Sequence, residues 1–82
     1  MREVIRALVR EKLRDGRLPL DSIHILYGGP ADGEMCDACD EPIPRQQVII
    51  EGITSTLRNK QGIQFHVRCF EIWNTERQVL MA

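Results

Sequence analysis

The sequence predicts one small α+β domain. The first and last segments of the chain have apolar residues at helical spacing, and two short runs between them are rich in β-branched residues, as strands are. A chain of 82 residues is long enough for one domain, and it buries only about 60–65% of the surface that its unfolded form exposes. Aromatic residues make up only 5% of the chain. We therefore expect something besides apolar packing to stabilise the fold.

The first helix is predicted to be amphipathic. Its apolar side chains lie four residues apart in two neighbouring series, which form one stripe: Val4, Ile5, Leu8, Val9 and Leu13. Arg6, Arg10 and Arg14 form a basic row on another face. Gly16 suits the position after a helix end, and Pro19 prevents the helix from continuing.

The middle of the chain is predicted to contain an extended arm, a break and a β-hairpin. Residues 20–27 alternate in a way that favours a strand or an extended arm, and the Gly-Gly-Pro sequence at 28–30 is expected to break the chain. Residues 47–51 and 63–66 predict the two strands of a hairpin, with a polar loop over residues 58–62.

The last segment is predicted to be a helix that packs mainly through one face. Cys69, Phe70, Trp73 and Leu80 lie near that face. We expect the helix and arm of residues 1–30 and the unit formed by residues 31–82 to fold together as one domain.

Every cysteine of the chain belongs to a pair of residues with metal-ligand spacing. Two residues separate Cys36 from Cys39, and two separate His66 from Cys69. A tight turn over residues 36–39, here called the knuckle, directs both of its thiols to one side. If a helix begins near Val67, His66 and Cys69 lie over its first turn. Three thiolates and one imidazole suit one tetrahedral Zn²⁺, and four protein ligands are typical of a structural site.

Three other interpretations of the cysteines are less complete. Buried free cysteines would explain any one of them but not two paired spacings that use all three. A thioredoxin-like redox pair needs a βαβ framework, which the order of elements does not supply. Iron–sulfur sites usually use four cysteines. His24 is not needed for the ligand set, and we expect it to face solvent or a polar contact.

The motif Cys36-x-x-Cys39, followed by a hairpin and by His66-x-x-Cys69 at the start of a helix, resembles the treble-clef group of zinc fingers. The ligand types and their order also resemble the first zinc site of a LIM domain. The segments 35–43 and 65–73 are similar to small bacterial zinc-finger proteins, and the resemblance covers roughly residues 33–77. It implies a treble-clef-like unit with one structural zinc.

Two positions depart from those families. Ile72 stands where a LIM domain has the next cysteine, so a second metal site and the partners of LIM domains are not expected here. Asp40 stands where many knuckles have a glycine in the left-handed conformation. Aspartate tolerates that conformation better than most residues do, so we expect the knuckle to form.

The charge and the motifs favour a binding role over catalysis. No nucleophile motif or phosphate-binding loop is present in the sequence, and a complete ligand set leaves no position for water, so neither an enzyme nor a small-molecule substrate is expected. We expect a protein-interaction or structural module. Its N-terminal helix presents the apolar stripe either to the zinc unit, where it completes the core, or to a protein partner or a second copy. The alternative is a nucleic-acid-binding zinc finger or transcriptional regulator that uses the same helix.

The distribution of charge bears on that alternative. Residues 1–20 carry a net charge of +3, residues 21–44 carry −6, and residues 45–82 carry +2, for a total of −1. Six basic residues of the front end are suited to contact phosphate from one helix face: Arg2, Arg6, Arg10, Lys12, Arg14 and Arg17. The acidic block beside the knuckle counts against them.

The sequence also gives an expected location. It has neither the apolar stretch of a signal peptide nor an apolar run of about 18 residues. We therefore expect a cytoplasmic protein without a membrane contact.

Overall fold

The computed structural model describes residues 2–21, 23–54 and 62–81, without the side chains of residues 26 and 54. Two helices and three strands follow each other as α1 (Arg2–Arg14), β1 (Ile23–Pro30), β2 (Val48–Thr54), β3 (Gly62–His66) and α2 (Val67–Met81). The strands form one antiparallel sheet in the order β1-β2-β3. The α+β class is therefore confirmed, and most of the loop predicted over residues 58–62 lies outside the described residues.

The predicted arm is a full strand at the edge of the sheet. β1 pairs with β2 from Ile23 opposite Thr54 to Pro30 opposite Val48, with a bulge between Ile25 and Tyr27. The prediction that residues 28–30 break the chain is therefore wrong. An edge strand accepts proline because one side of its backbone needs no partner strand.

Helix α1 packs on the rest of the chain through a narrower stripe than the sequence predicts. Ile5, Val9 and Leu13 are buried, whereas Leu8 is half-buried and Val4 is 68% exposed. The helix ends as predicted, because Gly16 adopts a φ of +86°.

Helix α2 covers the sheet with its first three turns. The Trp73 ring stacks on Phe65 of β3 with 5.3 Å between centroids, and it lies 5.7 Å from Phe70. The Trp73 indole N–H donates to the carbonyl of Pro19 at 2.9 Å, so α2 also holds the segment that follows α1. Leu80 is exposed rather than packed, because the helix extends beyond the surface that it covers. Neither described helix has the length and apolar content to cross a membrane.

Candidate metal centre

The four predicted ligands come together at one point of the fold. The thiol sulfurs of Cys36, Cys39 and Cys69 and a ring nitrogen of His66 all lie within 4.8 Å of one another. The Cys39 and Cys69 sulfurs lie 3.5 and 3.7 Å from His66 Nδ1. Zn–S bonds of about 2.3 Å and Zn–N bonds of about 2.0 Å at tetrahedral angles give S···N separations of about 3.5 Å. The donor set and its spacing therefore fit one zinc ion. His24 is exposed on β1.

The knuckle is closed by its own backbone. Cys36 N–H donates to the carbonyl of Glu41 at 2.9 Å, and Asp40 N–H donates to the carbonyl of Cys36 at 3.0 Å. Asp40 adopts a φ of 63°, as expected for the residue that follows the knuckle. The turn therefore directs Cys36 and Cys39 to the same point without a glycine.

His66 is oriented by a second contact. It is the last residue of β3, and its Nε2 lies 3.2 Å from the carbonyl oxygen of Pro42. A carbonyl oxygen only accepts, so Nε2 carries the hydrogen and Nδ1 presents its lone pair to the cluster. Such a contact fixes the tautomer and the ring plane of a metal-ligating histidine.

Cys69 reaches the cluster from the first turn of α2. The helix begins at Val67, so the thiol lies close to the positive end of the helix dipole and is fully buried. A negative charge is favoured at this end of a helix. The centre thus receives ligands from the knuckle, from β3 and from α2.

The three thiols differ in their affinity for protons. A hydrogen bond from Cys69 lowers the pKa of Cys36 to about 4, and burial opposes this effect. The same hydrogen bond raises the pKa of Cys69, and burial raises the pKa of Cys39. A divalent cation that binds all three sulfurs as thiolates therefore displaces protons.

Asp37 links the knuckle to the outer edge of β3. Its N–H donates to the carbonyl of Gln64 at 2.8 Å, and its carboxylate accepts from the N–H of Gln64 at 2.7 Å. Burial raises the pKa of Asp37 above its ordinary value, and the hydrogen bond from Gln64 opposes the shift. One backbone and one side-chain hydrogen bond thus attach the knuckle to the edge of the sheet.

Lys12 is a residue of the site that the sequence analysis missed. Its ammonium group donates to the carbonyl of Asp37 at 2.9 Å and to the carboxylate of Asp40 at 2.7 Å. The side chain is only 4% exposed, so the amine bridges α1 and the knuckle inside the fold. Its position in the sequence indicates burial, because Lys12 lies three residues after Val9 and thus on the apolar stripe of the helix.

Two of the three arginines in the basic row of α1 form ion pairs with Glu76 of α2. Glu76 is buried, and its carboxylate contacts the guanidinium groups of Arg6, at 3.6 Å, and Arg10. Arg17 pairs with Asp15 at 2.7 Å. Four of the six basic residues expected to contact phosphate therefore pair with acidic groups of the chain: Arg6, Arg10, Lys12 and Arg17.

Comparison of the chain with known protein families, with curated proteins and with solved structures finds no match. What the centre can bind is therefore inferred from the residues and distances of this chain.

Proposed function

We propose that the chain is a small structural zinc protein in which the centre forms a treble-clef-like unit. The observation that carries the proposal is the convergence of Cys36, Cys39, His66 and Cys69 within 4.8 Å. Three of these four residues are buried, and the fourth is half-buried. Thiolates and a neutral imidazole form a ligand set that zinc prefers.

A stabilising role fits the position of the centre better than a catalytic one. Four protein ligands fill a tetrahedral zinc site, which leaves no place for an activated water. The ligands also come from three separate elements, and a chain of this size buries little apolar surface with which to hold those elements together. Structural zinc contributes about 10–16 kcal/mol of apparent binding free energy in small fingers, and most of this is folding free energy.

Metal analysis and chelation test this proposal. Protein purified without added zinc should contain one zinc per chain, and excess chelator should unfold it as followed by circular dichroism. Cys69→Ala and His66→Ala should unfold even with zinc present, because each removes a buried ligand. His24→Ala is the matched control, since this histidine is exposed. Iron or no metal in the protein, or variants that stay folded in chelator, would overturn a structural zinc site.

We further propose that this unit acts as a protein-interaction module. A groove of about 110 Å³ lies beside the centre, and its lining includes the apolar residues Val4 and Leu8 of α1. Val4 is largely exposed, and Leu8 is half-buried. Apolar side chains grouped around a groove are a feature of surfaces that bind other proteins. The internal pairing of Arg6, Arg10 and Lys12 favours this role over nucleic-acid binding.

A pair of charge substitutions tests the interaction role. Val4→Glu should abolish recovery of a partner that copurifies with the tagged chain, or dissociate a dimer in sedimentation velocity. Val79→Glu should leave the partner or dimer unchanged, because Val79 is equally exposed apolar surface but lies near the far end of α2. A monomer without a specific partner would refute this role, and so would a complex that both variants retain.

A further inference from the structure

Cys39 differs from the other three ligands in its access to solvent. Cys36, Cys69 and His66 are 1%, 0% and 4% exposed, whereas Cys39 is half-buried. Cys39 is also one of the residues that line the groove beside the centre, whereas Cys36 and Cys69 are not. Of the three cysteines, Cys39 is therefore the one that a small molecule in that groove approaches.

The groove sets the size of molecule that can approach. Its volume is about 110 Å³, and one water molecule occupies about 30 Å³ in the liquid. Apolar side chains of α1 form one wall, and Glu41 and Arg68 lie on its lining as a pair of opposite charges. A small neutral oxidant fits this space, and it meets no excess of either charge.

We propose that Cys39 is the site at which a small hydroperoxide oxidises the zinc-loaded centre, which then releases its metal. This inference rests on the proposed zinc site. The susceptibility of cysteine to peroxide follows thiolate character and exposure. Cys39 combines a metal-held thiolate with access from the groove.

The reaction has two steps. The Cys39 sulfur attacks the terminal oxygen of the hydroperoxide, so an S–O bond forms, the O–O bond breaks, and an alkoxide or hydroxide leaves. The sulfur loses two electrons and the peroxide gains them. The thiolate of Cys36 or Cys69, within 4.8 Å, then attacks the sulfenic sulfur, and an S–S bond forms as hydroxide leaves. Two of the four ligands are lost as donors, and zinc dissociates.

The test treats the zinc-loaded full chain with hydrogen peroxide. A sulfenic-acid trap such as dimedone is present, and samples taken at early times are mapped by mass spectrometry while a chromophoric indicator follows zinc. The first adduct should be on Cys39, at a level at least about ten-fold above that on Cys36 or Cys69. Without the trap, one zinc per chain should be released. A first adduct on another cysteine, or oxidation of Cys39 that leaves zinc bound, overturns the inference.

Two variants test the path through the groove. Leu8→Ala widens the groove and should raise the rate of zinc release at least about two-fold, since access limits the attack on a protected thiolate. Val79→Ala removes a similar amount of apolar side chain from an exposed site on α2 and should not change the rate. Equal rates for both variants would overturn the groove as the path. A chain without zinc overturns both this inference and the proposed function, whereas a zinc-loaded chain that reacts elsewhere overturns only this inference.

Discussion

Replacing Lys12 with methionine removes the charged contact between α1 and the knuckle. Methionine keeps most of the apolar stem of lysine, so the packing around Val9 and Leu13 is preserved. What is lost are two hydrogen bonds from the ammonium group, to the carbonyl of Asp37 at 2.9 Å and to the carboxylate of Asp40 at 2.7 Å. The substitution therefore tests the bridge rather than the helix.

The expected cost follows from the burial of each partner. Hydrogen bonds to charged groups contribute about 1.5–3 kcal/mol to stability. The lysine side chain is 4% exposed, but the side chain of Asp40 is 64% exposed and regains water when the amine is gone. Because of this partial compensation, we expect a total loss of about 2 kcal/mol rather than the sum of two full contributions. For a domain of this size, this corresponds to a decrease in Tm of about 8–16 °C.

Urea unfolding at a fixed free zinc concentration measures this loss. Arg14→Met is the matched control, because Arg14 is an exposed cation of the same helix and its replacement should change stability by less than about 0.5 kcal/mol. Zinc affinity of the Lys12→Met variant should also fall by about ten-fold, as it does when outer-shell partners of a metal site are removed. A folded Lys12→Met protein with unchanged stability and unchanged zinc affinity would refute the bridge.

Three further predictions concern the helix contact, the sheet and the metal. Glu76→Gln should lower the free energy of unfolding, measured in urea, by about 1–2 kcal/mol, because two arginines of α1 lose a buried charged partner. Glu71→Gln, at an exposed site on the same helix, should leave the free energy of unfolding unchanged. Gly52→Ala should cost about 1–3 kcal/mol, because its Cβ would lie 2.6 Å from a backbone oxygen of β1. Gly29→Ala should cost less, because its Cβ meets the end of an exposed tyrosine side chain that can turn away, and equal Tm values for the two variants would contradict this comparison. Apparent zinc affinity, measured by chelator competition, should fall about a thousand-fold per pH unit below pH 8, because the three ligand thiols of the unfolded chain bind protons there and zinc-bound thiolates do not. The affinity falls as pH falls because stability rises with pH wherever the unfolded state binds more protons. A hundred-fold decrease per pH unit would contradict this prediction. It would indicate that the chain stays folded without metal and that Cys36 stays ionised, since its pKa is lowered to about 4.

The ligand set could be predicted because its geometry is local. Two residues between Cys36 and Cys39, and two between His66 and Cys69, constrain each pair without knowledge of the rest of the fold. The left-handed conformation of Asp40 follows from the same turn. Local spacing was therefore enough to predict which four side chains converge.

Contacts between distant segments could not be predicted in the same way. Arg10 reaches Glu76 across 66 positions of the chain, and nothing in the basic row of α1 indicates that partner. The Gly-Gly-Pro sequence of residues 28–30 favours a break by local preference, but pairing with β2 keeps it extended. Strand formation depends more on neighbouring strands than on intrinsic preference. Local preference therefore gives the wrong prediction for residues 28–30, where tertiary pairing decides the conformation.

The hydrogen bonds between Asp37 and Gln64 have a consequence for solubility. They occupy part of the outer edge of β3, a strand whose sequence, Gly-Ile-Gln-Phe-His, contains neither a lysine nor an acidic residue. An uncharged and uncovered strand edge is a template for pairing with other chains. Ligands lie on both sides of this contact, since Cys36 directly precedes Asp37 and His66 ends β3. The proposed zinc ion would fix these ligands and so keep the edge covered, and its removal would expose a surface on which the chains can aggregate.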